Sequence, residues 1–324
     1  MNVLVTGAGG FIGSHLVERL VRDDATVRAL VRYNSRNDWG LLEMLPADVR
    51  NAVEVVTGDI QDPFLVDKAV EGSEVVFHLS SLIAIPYSYV APQAYVATNV
   101  QGAVNVLEAS RRHGVERIVH TSTSECYGTA KYVPIDEKHP LQGQSPYSAS
   151  KIGADMIAES YWRSFELPVA VIRPFNTYGP RQSARAVIPT IISQALSGGV
   201  VHLGSLTPTR DLNFVDDTVE AFIRVGQTPG AVGEIINIGS GREISIRDLA
   251  QLILDLMDSD ARIECEEQRL RPGKSEVERL LCDNDKARRI LGWETTVTLE
   301  EGLRRTIDWI QDNQARYKPQ IYNV

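Results

Sequence analysis

The 324-residue chain is long enough for one large or two modest domains, and its composition, 43% apolar and 23% charged, is that of an ordinary globular protein. A net charge of −9 argues against general nucleic-acid binding, so an anionic ligand must be met by local positive groups. No apolar run approaches the ~20 residues that span a bilayer, Met1–Thr6 leads straight into a glycine turn without a secretory leader, and Cys126, Cys265 and Cys282 offer neither metal-ligand spacing nor a disulfide framework. The expectation is a cytoplasmic protein with no bound metal, no membrane and no nucleic-acid partner.

Short β-branched runs alternate with helical patterns through the first half. Residues 3–6, 27–31, 53–57, 75–79, 117–122 and 169–173 read as strands, and 12–21, 64–70, 97–112 and 148–165 as helices. Such alternation predicts an α/β fold, a Rossmann-like doubly wound parallel sheet covered on both faces. After about residue 176 the pattern loosens, and helices return at 187–197, 246–257 and 299–313. The expected organisation is a dinucleotide-binding domain over 1–175 and a smaller, loop-rich substrate domain over 176–324. The segment near 211–245, with a strand at 234–238, is expected to return to the large sheet.

Gly7-Ala8-Gly9-Gly10-Phe11-Ile12-Gly13 lies between the first strand and the first helix. Glycines there permit a tight turn, and the helix N-terminus presents free amides and a favourable dipole to a pyrophosphate. The spacing is Gly7, Gly10, Gly13 rather than GxGxxG. The second strand ends Leu30-Val31-Arg32-Tyr33-Asn34, with no acidic residue for a ribose 2′-hydroxyl. Arg32 suits a 2′-phosphate or is a solvated surface cation, so NAD and NADP both stay open. Asp59, after the third strand, accepts from an adenine amino group or caps a turn.

Tyr147-Ser148-Ala149-Ser150-Lys151 sets a tyrosine and a lysine one helical turn apart on one face. An ammonium beside a phenol stabilises the phenolate and lowers its pKa. That yields a base able to take a hydroxyl proton while hydride leaves the same carbon. Upstream, Thr121-Ser122-Thr123-Ser124-Glu125-Cys126-Tyr127-Gly128 places hydroxyls and a carboxylate at the carboxyl end of a strand, where such sheets bind ligands. His15, His78 and His120 read as packed residues, Arg111-Arg112 as a solvated helix end, and Cys126 lacks a partner base.

On these motifs, with Asn99 and Arg173-Pro174-Phe175-Asn176, the sequence resembles the extended short-chain dehydrogenase/reductases of nucleotide-sugar metabolism over essentially its whole length. The resemblance implies a tightly bound, recycled NAD or NADP touched by Gly7, Gly10, Phe11, Ile12, Gly13, Arg32, Asn34, Asp59, Ile60, Leu79, Ser80, Ser81, Asn99, Tyr147 and Lys151. It implies that Thr123 holds the substrate's 4-oxygen, that Tyr147 is the base, and that Lys151 binds ribose and tunes Tyr147. Ile83, Asn176, Val187, Arg210 and Arg271 would contact a nucleotide-diphosphate sugar, the two arginines neutralising its diphosphate. Relatives pair two helices into a four-helix interface, so a homodimer is expected, with Trp162 and Phe165 either core or subunit contact.

Glu125 separates the reactions such enzymes run. A 4-epimerase only removes and returns hydride at carbon 4. A 4,6-dehydratase must also take the carbon-5 proton and expel the carbon-6 hydroxyl, which calls for a carboxylate beside Thr123. Many dehydratases carry Thr-Asp-Glu, with the Asp as acid. Ser124 replaces that Asp here, as in the GDP-mannose dehydratases, so either Glu125 serves as base and then as acid, or the acid lies elsewhere. UDP-glucuronate decarboxylases share Thr-Ser-Glu. Segments 83–89, 142–147, 181–185 and 204–210 look like those of the N-acetylglucosamine-nucleotide 4,6-dehydratases of legionaminic-acid pathways. The expected reaction takes UDP- or GDP-N-acetylglucosamine to its 4-keto-6-deoxy sugar, with 4-epimerisation or glucuronate decarboxylation as alternatives.

Overall fold

Apolar side chains on successive residues of a strand point to opposite faces, so an unbroken apolar run demands a core on each side. The chain meets that demand. In the computed structural model, which describes residues 1–322, the strands are β1 (Asn2–Thr6), β2 (Thr26–Arg32), β3 (Val53–Gly58), β4 (Val75–His78), β5 (Arg117–Thr121), β6 (Val169–Pro174), β7 (Asn176–Tyr178), β8 (Val200–Leu203), β9 (Thr209–Phe214), β10 (Ile235–Ile238), β11 (Glu243–Ser245) and β12 (Arg262–Cys265). Val3, Val5, Phe77, Ala170 and Ile172 enter one core with the helices Phe11–Arg22 and Val215–Gln227. Leu4, Val76, Val169 and Val171 enter the other with Pro63–Val70, Gly102–His113 and Pro146–Phe165.

Seven strands form one parallel sheet in the order β10-β6-β5-β4-β1-β2-β3. Val3 pairs with Val27 on one side and Val75 on the other. The chain thus winds outward in both directions from β1, and the carboxyl ends of β1 and β4 diverge into the crevice where open α/β sheets bind ligands. β11, β9 and β7 make a second, three-stranded sheet, and β12 pairs with β8. These smaller sheets and the helices Val187–Ser197, Ile246–Leu256 and Leu299–Asp312 complete the chain's second half.

Two helix boundaries differ from the sequence pattern. The helix expected from residue 97 is split: Pro92–Tyr95 leads into a wide π-type stretch, Val96–Gln101, before regular turns begin at Gly102. The helix expected from residue 148 starts at Pro146, because Ser145 and Ser148 cap each other's backbone amides and proline suits the first turn. The Val215–Gln227 helix lacks any such start signal. Phe214 holds its cap position without a side-chain bond, and Asp217 instead accepts from Thr296 N, Thr296 Oγ1 and Val297 N. Of the segment near 211–245, β10 pairs with β6 in the large sheet, whereas β9 and β11, at its two ends, pair with each other in the separate three-stranded sheet.

Candidate active site

The glycine turn is shaped by close backbone approach. Gly7 has φ +70°, and a Cβ there would lie 2.8 Å from Ser80 N; a Cβ on Gly13 would lie 2.3 Å from the Gly7 carbonyl oxygen. Only glycine fits such approaches. Gly10 precedes the first helix in extended conformation with no side-chain cap, and the Ser14 amide bonds back to the Gly10 carbonyl at 2.9 Å. The amides of Phe11, Ile12 and Gly13 before it are left to an anion. This cradle of bare backbone fits a dinucleotide's pyrophosphate.

Thr6, which the sequence pattern did not single out, closes the crevice floor. Its Oγ1 accepts from Leu79 N and Ser80 N, both at 3.1 Å, and lies 2.9 Å from His78 Nδ1. It therefore ties the carboxyl ends of β1 and β4 together beneath Leu79, Ser80 and Ser81. Burial pushes His78 well below its usual range, so the ring is a neutral, packed partner. At the other end Asp59 is exposed and its Oδ1 caps Gln61 N, while the buried Ile60 offers its carbonyl to Asn105. Arg32, at the end of β2, is exposed, and no hydrogen bond or ion pair among the described residues engages its guanidinium. Asn34 is spent within its own loop, donating to Asp38 O and accepting from Arg36 N and Asp38 N. Asn99 is buried, clasping Leu82 N and Leu82 O and donating to Ser150 Oγ. It shapes the crevice wall by pinning the segment after β4 to the Pro146–Phe165 helix.

Thr123, Glu125, Tyr147 and Lys151 converge past the end of β5. Thr123 caps the short turn Ser124–Tyr127, accepting from Glu125 N at 3.3 Å. Thr123 and the Glu125 charge both act on the Tyr147 phenol, the threonine lowering its pKa and the carboxylate raising it. Ser124, between them, is buried. Burial pushes Tyr147 well above the usual range for tyrosine, and Thr123 offsets only part of it. Lys151, also buried, turns its Nζ to the Thr121 carbonyl at 2.5 Å. A low-pKa phenolate is not a property of these side chains alone. Cys126, beside Glu125, is pushed up to about 12 by burial, which suits a packed thiol.

Apart from Ile83, the residues expected to meet the substrate lie in the second half of the chain. Asn176 opens β7, and its Oδ1 is buried without a hydrogen-bond partner among the described residues, an acceptor aimed at something the chain does not itself supply. Arg210 on β9 is buried, and Glu125 is among the charges that act on it. The structure brings Arg210 and Arg271 together through a residue the sequence reading missed: Glu276 Oε1 lies 3.3 Å from Arg210 Nη2 and 3.3 Å from Arg271 Nη1. Val187 is half-buried at the start of its helix, and Ile83 is 65% exposed. A polar depression of about 530 Å³ elsewhere, between Arg242, Asp285, Arg288 and Glu294, includes none of these residues.

A family model described as GDP-mannose 4,6 dehydratase matches residues 4–306. The chain belongs to this family. It is 36% identical to a dTDP-glucose 4,6-dehydratase of Streptomyces antibioticus, over 98% of this chain and 95% of that protein. It is 37% identical to a UDP-glucose 4-epimerase of Mycolicibacterium smegmatis, over 96% and 99%. A crystal structure of the dTDP-glucose 4,6-dehydratase of Streptomyces venezuelae with NAD bound superposes with a TM-score of 0.88 at 30% identity, covering 99% of this chain and all of that one. The family is thus one of extended short-chain dehydrogenase/reductases that use nicotinamide dinucleotides on nucleotide sugars. It includes both dehydratases and epimerases.

Proposed function

We propose that the protein is a nucleotide-sugar 4,6-dehydratase that converts UDP- or GDP-N-acetylglucosamine to the 4-keto-6-deoxy sugar. The observation that carries this reading is the single short turn that sets Thr123 and, two residues on, Glu125 to act on the buried Tyr147 phenol. The carboxylate is where a base for carbon 5 is needed. A bound nicotinamide dinucleotide supplies the hydride acceptor at carbon 4, the hydride donor at carbon 6, and a positive ring charge that favours ionised Tyr147. The chain does the rest. Thr123 and Tyr147 hold the 4-hydroxyl and take its proton. Once carbon 4 is a ketone the carbon-5 hydrogen is acidic; Glu125 removes it and returns a proton to the departing carbon-6 hydroxyl, which leaves as water. As hydride comes back to carbon 6, a solvent-derived proton is delivered to carbon 5 by Glu125, while Tyr147 gives its proton up to solvent. Arg210, Arg271 and the open Asn176 amide hold the nucleotide diphosphate, and the glycine turn with Asp59, Ile60, Leu79, Ser80 and Ser81 holds the dinucleotide.

Incubation with UDP- and GDP-N-acetylglucosamine tests the reading through product mass. Loss of one water is expected; unchanged mass with inverted carbon 4 would replace it with the epimerase reading, which the likeness to the Mycolicibacterium epimerase favours. Loss of carbon dioxide from UDP-glucuronate would make it a decarboxylase. The likeness of segments 83–89 and 204–210 to the legionaminic-acid enzymes supports the N-acetylated sugar. Met156, Phe165 and Val96 stay exposed on or beside the helices expected to form a four-helix dimer interface, which supports a homodimer. No helix among the described residues is long and apolar enough to cross a membrane, and all three cysteines are free; both fit a cytoplasmic setting.

Arg32 is expected to let the site accept NADP. A charge-assisted contact to a 2′-phosphate contributes on the order of 1.5–3 kcal/mol, about tenfold or more in affinity. Titration of the protein with NAD and NADP, before and after Arg32→Ala, reads it directly. The NADP/NAD affinity ratio should fall by at least that factor; an unchanged ratio would make Arg32 an ordinary surface cation.

A further inference from the structure

Beneath the Thr123–Glu125 turn lies a buried polar cluster that none of these proton transfers uses. Asp155 sits one helical turn beyond Lys151 and is fully buried. Its Oδ2 accepts from Ser122 Oγ at 2.5 Å and from Arg173 Nη2 at 2.8 Å. Arg173, on β6 and 1% exposed, spends its other nitrogens on two hydroxyls, Nε to Ser122 Oγ at 3.1 Å and Nη1 to Tyr127 Oη at 2.8 Å. Each hydroxyl has one proton, and each sends it to a fixed acceptor: Ser122 to Asp155, Tyr127 to Asn237 Oδ1 at 2.7 Å. The network has one consistent direction throughout. Ser122 and Tyr127 bracket the segment that carries Thr123, Ser124 and Glu125.

Burial alone would raise the Asp155 carboxyl, but Arg173 and then His120 more than offset it, and it stays below the usual carboxylate range. A buried ion pair adds little stability over apolar packing of the same volume. What a planar guanidinium adds is direction, because its donors point along a rigid fork.

We propose that Asp155 and Arg173 are positioning residues: the guanidinium, oriented by the carboxylate, grips both ends of the catalytic turn and thereby fixes where the Glu125 carboxylate stands relative to Thr123 and Tyr147. The proposal rests on the role given to Glu125 above. Arg173 holds the turn at residues 122 and 127, and Gln142 also holds the carbonyls of Cys126 and Tyr127, so loosening one guanidinium contact should let the turn shift without unfolding the sheet below.

Tyr127→Phe is the cleanest test, since the ring keeps its packing and only the hydroxyl is lost. Misplacement of about 1 Å costs up to 10²-fold. Loss of water from the sugar should therefore slow about tenfold to a hundredfold, with KM and the rate of hydride removal at carbon 4 changed by less than about threefold. Hydrogen exchange at the Glu125 and Cys126 amides should speed up. Arg173→Lys, which keeps a charge opposite Asp155 but not the fork, should act in the same direction. Unchanged amide exchange in Tyr127→Phe, or equal slowing of every step together with a lower melting temperature, would make the cluster structural and overturn the proposal. If the unaltered protein releases no water from any nucleotide sugar, the dehydratase reading fails on its own account, and amide exchange still decides whether the grip exists.

Discussion

Glu125→Gln is expected to leave oxidation at carbon 4 intact and to stop the reaction there. Glutamine has nearly the same size, and the bonds that shape the turn run through backbone amides, from Glu125 N to Thr123 Oγ1 and from Cys126 N to Thr123 O. The fold, the turn and the dinucleotide site should survive. What is lost is the ability to accept the carbon-5 proton, which becomes acidic only after carbon 4 is a ketone. The variant should stall as 4-keto sugar with reduced dinucleotide, or run back to starting material. Removal of a general base costs 10²–10⁴-fold, about 3–5 kcal/mol of barrier. Single-turnover absorbance of reduced nicotinamide should rise normally, while deuterium from solvent fails to enter carbon 5. Near-normal turnover would take away the residue-level support for dehydration and make epimerisation the leading reading.

Tyr147→Phe should fail one step earlier. The ring is buried among Leu82, Ile85 and Tyr95, with its centroid 6.2 Å from that of Tyr95 in an edge-on contact. Phenylalanine keeps that packing and loses only the hydroxyl on which Thr123 acts. With no acceptor for the 4-hydroxyl proton, hydride cannot leave carbon 4. A fall of 10²–10⁴-fold is expected before any reduced nicotinamide appears, with affinity for the nucleotide sugar changed only a few-fold. The two variants thus divide the reaction at the ketone: one accumulates reduced cofactor, the other forms none. Reduced nicotinamide appearing at the normal rate in Tyr147→Phe would assign the first proton transfer to another group.

Much of this was legible in the chain because it is written in neighbouring residues. The glycine turn, the apolar run of β4 and the Tyr147/Lys151 spacing are local patterns, and each predicts a local geometry. What stayed hidden depends on partners far apart in sequence. The Val215–Gln227 helix has no cap of its own and sends Asp217 to Thr296, 79 residues on. Thr6 joins β1 to β4 across 72 residues or more. Glu276 was invisible because its meaning lies in Arg210, brought beside Arg271 by the fold. The acceptor of Lys151 was hidden for a related reason. Helical spacing places two side chains on one face, but it does not say which acceptor the longer one chooses. Here a strand carbonyl wins. Asn176, Arg210 and Arg271, scattered through the second half, carry no local pattern and were reached only through the family likeness.

The return of β10 to the edge of the large sheet, with the Val215–Gln227 helix packed on its face, bears on how this enzyme can diversify. A single recombination junction near residue 175 would carry off both the strand beside β6 and part of the cover over β5 and β6. The second half of the chain is therefore not a cassette that one crossover can exchange. Change in the second half is confined to substitutions and short insertions in its loops, while β10 and the Val215–Gln227 helix keep the large sheet closed.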